Sequence, residues 1–244
     1  MAKKLSTFCT LIGLVSVAFA ATPMTALERK VRVSFLVQYL LYHNCQQNPN
    51  QHKSQRNTIT GRRLFKRDNT NPSLLYPEYN LSVPIDHFHN DSKYEPHSDG
   101  MFNLHYWFDA SYYEAGGPVI VLQSGETDAT ERLVYLQKGL LHQLAEATHG
   151  IGVVLEHRYY GNSGPTLDLS MENLRFLTTD QALADEVYFA KNVVFEGLED
   201  HNLTAPNVAY IGYGGSYAGA FNAFLRKLYP DVFWGGSHVS SQKC

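Results

Sequence analysis

The stretch Ile211-Gly212-Tyr213-Gly214-Gly215-Ser216-Tyr217-Ala218-Gly219 constrains this chain more than any other. Before it runs Val208-Ala209-Tyr210, of strand composition. After it, Phe221, Phe224, Leu225 and Leu228 mark one side of a helix. A serine at the tip of a sharp strand-to-helix turn is held in a strained backbone conformation, so the residues two positions away on either side must be small. Gly214 and Ala218 meet that need, with Gly215 and Gly219 beside them. Ala218 departs mildly from a pattern that has glycine there. Such a turn projects the Ser216 hydroxyl from the carboxyl ends of the strands and aims the Tyr217 amide at an incoming carbonyl oxygen. Two other readings exist. A phosphate-cradling loop is disfavoured, because the P-loop lysine and the full dinucleotide spacing are missing. A purely structural Gly-Ser turn stays open on the motif alone.

The surrounding pattern alternates strands and helices. Residues 101–113 have strand composition and lead into the turn Gly116-Gly117-Pro118. Val119-Ile120-Val121-Leu122 and Gly152-Val153-Val154-Leu155 are continuous apolar runs, as expected of strands buried on both faces. Leu133, Leu136, Leu140 and Leu144 recur at helical spacing. Thr178 with Gln181 forms a capping box ahead of a face of Leu183, Val187, Ala190 and Val194. A fourth strand is expected over residues 232–240. The fold class is therefore α/β with a mostly parallel sheet. The loop Gln123-Ser124-Gly125-Glu126-Thr127 follows a central strand, and the amides of Gly125 and Glu126 are the expected second donors of an oxyanion hole beside Tyr217.

The first 20 residues read as an export signal: Lys3 and Lys4, an apolar run over residues 11–19, then Ala18-Phe19-Ala20. That run is too short for a membrane span. Residues 21–67 are largely polar and contain Arg62-Arg63 and Lys66-Arg67, which suit either a processed propeptide or a basic linker. The folded body is expected over residues 68–244. Processing would leave Cys244 as the mature part's one cysteine, Cys9 and Cys45 being removed, and so no internal disulfide. Sequons at Asn80, Asn90 and Asn202 suit a glycosylated product of the secretory route, extracellular or delivered to a lysosome or vacuole. A net charge of −3 without a basic stripe gives no reason to expect nucleic acid as a partner. No membrane partner, cofactor or metal is expected either. His87 and His89 have the spacing of a metal pair but lack an accompanying carboxylate–histidine constellation, and are read as packing in an early strand.

Several blocks in fixed order resemble one family. They are Val83-Pro84-Ile85-Asp86-His87-Phe88, Gly116-Gly117-Pro118, Glu156-His157-Arg158-Tyr159-Tyr160-Gly161-Asn162-Ser163, Leu177-Thr178-Thr179-Asp180-Gln181-Ala182-Leu183-Ala184-Asp185, the Ser216 turn, and Tyr229-Pro230. Together, over residues 83–241, they resemble the serine peptidases that include lysosomal Pro-Xaa carboxypeptidase and dipeptidyl peptidase II, particularly their fungal secreted members. The resemblance implies an α/β-hydrolase domain with a helical cap inserted later, and hydrolysis of proline-containing peptides near one chain end through an acyl-enzyme on Ser216.

His157 precedes Ser216, whereas the triad order in this fold is Ser, acid, His, so it is not read as the base. Glu156 and Arg158 are expected to form a supporting charge network on one side of an extended segment. His238 falls in the next strand and is read as packed or at an edge. In the resembled family the orienting acid and the base lie far downstream. Here Ser240-Ser241-Gln242-Lys243-Cys244 stands where family members continue with Ala-Pro and a long second half. The expectation is a truncated reading frame whose 244-residue product is inactive and poorly soluble, with an open apolar edge strand. A lipase or esterase sharing the turn, or a non-catalytic binding or decoy protein keeping the fold, are the alternatives.

Overall fold

A computed structural model describes residues 71–239, so the expected export signal, the 21–67 segment, all three cysteines and the last five residues lie outside what it describes. Six strands form one sheet: β1 (Tyr79–Pro84), β2 (Met101–Asp109), β3 (Val119–Gln123), β4 (Ile151–Leu155), β5 (Tyr210–Gly215) and β6 (Phe233–Val239). Their spatial order is β1-β2-β4-β3-β5-β6. β1, β2 and β4 pair antiparallel, while β4, β3, β5 and β6 pair parallel, with Val121 opposite Val153 and Ile120 opposite Ile211. The helices are α1 (Val134–Gln137), α2 (Leu140–Thr148), α3 (Thr179–Asn192) and α4 (Tyr217–Leu228).

The continuous apolar runs occupy the centre because both of their faces are covered. Val119 and Val121 of β3, with Val153 of β4, face a core that includes Leu183, Phe189, Phe221 and Leu225 from α3 and α4. Ile120 and Leu122, the alternate residues of β3, join Val154 against Leu133, Leu136, Leu140, Leu141 and Leu144 on the opposite face. Period-two alternation thus feeds two separate apolar layers from one strand. Each fully buried aliphatic side chain contributes about 1.5–3 kcal/mol of transfer free energy.

Several expected elements shift. The leucine series of residues 133–144 is not one helix: Gly139, at φ 92° and ψ −163°, separates α1 from α2. A positive φ suits glycine, so the same leucines reach the core from a bent path. Thr178 caps α3 as expected, its hydroxyl accepting from the Gln181 amide at 3.3 Å. Gln181 does not complete the reciprocal box, because its side chain reaches away to Asp86 and the His87 amide. Val194 lies beyond the end of α3 and is 62% exposed. On α4, Phe221 and Leu225 are buried, whereas Phe224 and Leu228 are about half exposed. His87 and His89 follow β1 rather than lying in it. No helix among the described residues is long and apolar enough to cross a membrane.

The two phenylalanines of α4 give a direct check. Phe221→Ala is expected to cost about 3–5 kcal/mol, as for buried aromatic truncations, and Phe224→Ala less than about 0.5 kcal/mol, as for surface changes. Urea midpoints of the two variants measure the difference, and equal shifts would contradict the burial described.

Candidate active site

β5 ends at the carboxyl edge of the parallel strands, and Ser216 is the residue between it and α4, at φ 55° and ψ −125°. A side-chain-bearing residue at positive φ costs about 1–3 kcal/mol and persists only where its surroundings dictate it. Two glycines of β5 let the new helix press directly onto the strand. A Cβ at Gly214 would lie 2.7 Å from both the Cβ and the carbonyl oxygen of Ala218, and one at Gly212 would lie 2.0 Å from Asn222 Oδ1. Asn222 Nδ2 in turn donates to the Ala218 carbonyl at 2.7 Å. Ala218 fits where stricter forms of the turn have glycine because its methyl meets glycine on two sides. The second is Gly125, whose Cβ would stand 3.7 Å away. Gly215 and Ser216 are both exposed. Strand, strained serine and helix at this edge of the sheet are the hallmark of an α/β-hydrolase fold.

The loop after β3 lies beside this turn, and its two candidate donors and that of Tyr217 differ in what they meet. Gly125, at φ 76°, gives its N–H to Gln123 Oε1 at 3.1 Å. In this structure it is engaged within the loop. Among the described residues, the N–H groups of Glu126 and Tyr217 meet no acceptor. The other end of the Gln123 amide donates to Glu186 Oε2 at 3.3 Å. Glu186 sits on α3 with no exposed surface, and burial, augmented by the charge of Asp185, raises its carboxyl to about 8 despite that hydrogen bond. A chain of contacts from Glu186 through Gln123 thus fixes the backbone of Gly125. Sequence reading missed Glu186. Its position three residues after Leu183 and four before Ala190 puts an acid on the apolar face of a helix, the signal that would have found it.

Glu156 and Arg158 are both buried, but they serve two networks rather than one. Glu156 accepts from the Ala129 N–H at 3.1 Å, the Asn162 N–H at 2.9 Å and the Ser163 hydroxyl at 2.8 Å. It also requires Gly161, at φ 55°, because a Cβ there would lie 1.8 Å from Glu156 Oε1. Arg158, fully buried, forks onto Asp185 at 2.6 and 2.7 Å. It gives its remaining N–H groups to the carbonyls of Ile85, Phe176 and Pro84 at 3.0, 2.9 and 3.3 Å. Asp185 also meets His87 Nε2 at 2.7 Å.

His157 stands behind the turn with both ring nitrogens engaged. Nδ1 donates to the Arg158 carbonyl at 2.8 Å, which leaves Nε2 to accept from the Tyr217 hydroxyl at 3.3 Å. Burial holds its pKa below the ordinary imidazole range. The Tyr217 hydroxyl also meets Thr179 Oγ1 at 3.3 Å, and burial raises its pKa. Among the described residues, Ser216 Oγ has no hydrogen-bond partner. His238 lies in β6 opposite Gly214, as expected. The three sequon asparagines, Asn80, Asn90 and Asn202, are all exposed.

The family described as serine carboxypeptidase S28 matches residues 84–242. A probable extracellular serine carboxypeptidase of Arthroderma benhamiae is 62% identical over 163 residues, which cover 67% of this chain and 23% of that protein. Serine protease vicPa of Bipolaris victoriae is 41% identical over 140 residues, covering 55% of this chain and 26% of that protein. Lysosomal Pro-X carboxypeptidase of Homo sapiens is 31% identical over 177 residues, covering 70% and 32% respectively. The chain spans about a quarter to a third of the length of these relatives.

Glu186 carries a pH-dependent prediction. Its unfolded pKa is about 4.3, so between there and about 8 the unfolded chain ionises while the folded one keeps the proton. Folding stability falls as pH rises through that window. Glu186→Gln removes this loss and is expected to be more stable than the parent by on the order of 3 kcal/mol at pH 7, shrinking toward zero at pH 4. Urea titrations at the two pH values measure it. An equal shift at both would mean that Glu186 is ionised in the fold.

Proposed function

The chain belongs to the serine carboxypeptidase S28 family, and we propose that the complete protein is an exported serine peptidase acting on proline-containing peptides near a chain end. The observation that carries the reading is Ser216, exposed at positive φ on the one strand-to-helix turn where glycines at 212 and 214 permit the close approach. In the proposed reaction Ser216 Oγ bonds to the scissile carbonyl carbon as its proton passes to a histidine base. The tetrahedral oxyanion forms against the N–H groups of Tyr217 and Glu126, each worth about 3–4 kcal/mol to the transition state. Collapse expels the amine, which takes up that proton, and water then releases the acyl group.

His157 is not the base in this proposal, because both of its nitrogens are committed elsewhere. The base and its orienting carboxylate lie outside residues 71–239, and the 244-residue chain alone turns over no substrate. Residues 1–20 direct export and are removed, residues 21–67 act as a propeptide-like segment, and residues 68–244 begin the catalytic domain. Asn80, Asn90 and Asn202 carry glycans, consistent with their exposure. The proline preference rests on the relative named lysosomal Pro-X carboxypeptidase.

The test compares the 244-residue chain with a product extended to the length of the relatives, on Pro-containing peptides and on acyl esters. The extended product is expected to cleave the peptides and to lose activity by on the order of 10⁴–10⁶-fold in Ser216→Ala. The shorter chain is expected to show none. Turnover by the 244-residue chain would place the base within it, and preference for acyl esters would make the protein an esterase.

A further inference from the structure

We propose that Asp86, His89 and His97 form a three-residue zinc site. Sequence reading assigned no metal, because His87 and His89 alone lacked a partner set; the fold sends His87 to Asp185 and brings His97 to His89 and Asp86 across an intervening turn. One donor atom from each of Asp86, His89 and His97 lies within 4.8 Å of the other two. Zinc bonds imidazole nitrogen and carboxylate oxygen at about 2.0–2.2 Å. Donors of a tetrahedral ion at that radius stand roughly 3.4 Å apart, so the three atoms need only modest shifts to take it up.

The cluster has the anatomy of a built site. Asp86 is buried, and its Oδ1 is fixed by the Phe88 N–H at 2.9 Å and Gln181 Nε2 at 2.7 Å, which leaves Oδ2 facing His97 Nδ1 at 2.7 Å. Hydrogen bonds of this kind orient a ligating carboxylate before the ion arrives. The His89 and His97 rings lie 5.5 Å apart, and His89 borders the cleft that Asp86 also lines. An Asp86–His97 ion pair by itself explains one histidine only. It leaves His89, half exposed, beside the second ring, with Asp99 Oδ1 3.8 Å away. Two imidazoles and one carboxylate within 4.8 Å of one another match the nitrogen–oxygen preference of Zn²⁺ better than that of Mg²⁺ or Ca²⁺.

The ion would staple the chain leaving β1 to the segment entering β2, across the 3₁₀ turn Ser92–Tyr94. β1, which leads into the site, is four strand positions from β5 in the sheet order, and none of the three ligands has a hydrogen bond to Ser216 or Tyr217 among the described residues. The role of the site is structural, and it rests on no part of the peptidase reading.

The experiment titrates the chelator-treated chain with ZnCl₂ by calorimetry and repeats the titration with Co²⁺ to record the visible d–d bands of nitrogen–oxygen ligation. One equivalent of Zn²⁺ is expected to bind saturably and raise the melting temperature. His89→Ala is expected to weaken binding at least about tenfold, the usual effect of losing an inner or outer partner of a metal site, with the metal-free melting temperature unchanged. His97→Gln is expected to weaken binding as much. Absence of saturable binding, or binding of undiminished affinity in His89→Ala, overturns the proposal; the latter places the ion on histidines elsewhere in the chain.

Discussion

The guanidinium of Arg158 is the interaction on which the arrangement of the other parts depends. It has no exposed surface, and its five N–H groups find five acceptors: two oxygens of Asp185 and the carbonyls of Pro84, Ile85 and Phe176. A charge buried this deeply is tolerable only when fully paired, because removing one partner of such a pair typically costs about 3–5 kcal/mol. Lysine could not substitute, having three donors and no planar fork. The consequence is topological. One side chain, on the segment leaving β4, determines where β1 ends, where the turn before α3 sits, and how α3 is oriented against the sheet.

That orientation matters to the turn at Ser216 because the same helix supports the loop opposite. Glu186, next to Asp185, holds Gln123, and Gln123 holds the Gly125 amide. Gly125 can then approach Ala218 closely, and Ala218 is pressed against Gly214. The strained backbone of Ser216 is thus enclosed by contacts with little slack. Glycine recurs on both sides of the helix start for a packing reason, and the absence of side chains there is what brings strand, loop and helix within van der Waals distance.

Much of this was legible in the sequence, and the limits are instructive. The uninterrupted apolar runs of β3 and β4 could only be strands covered on both faces, and Thr178 announced the start of α3. The Ser216 turn was recognisable because steric demand leaves few residue choices. Partner choice was not legible. Glu156 and Arg158 looked like neighbours in one network, yet they bond to groups reached through separate folds of the chain. Gln181 matched a capping box and then spent its side chain on Asp86, a contact 95 positions away in sequence. Periodicity also missed the break at Gly139 and overcounted Phe224 and Leu228, since a hydrophobic pattern reports which side chains can be covered, not which the available layers do cover.

Helix α3 brings these strands of argument together. Gln181, Asp185 and Glu186 project from it to the chain after β1, to Arg158 and to the loop after β3. An α-helix turns by about 100° per residue, so inserting or deleting one residue between Gln181 and Asp185 would swing one set of attachments away while leaving the other in place. Loops elsewhere in the molecule can change length at little cost, but this helix cannot. Its length is fixed by three polar side chains that must stay in phase with one another.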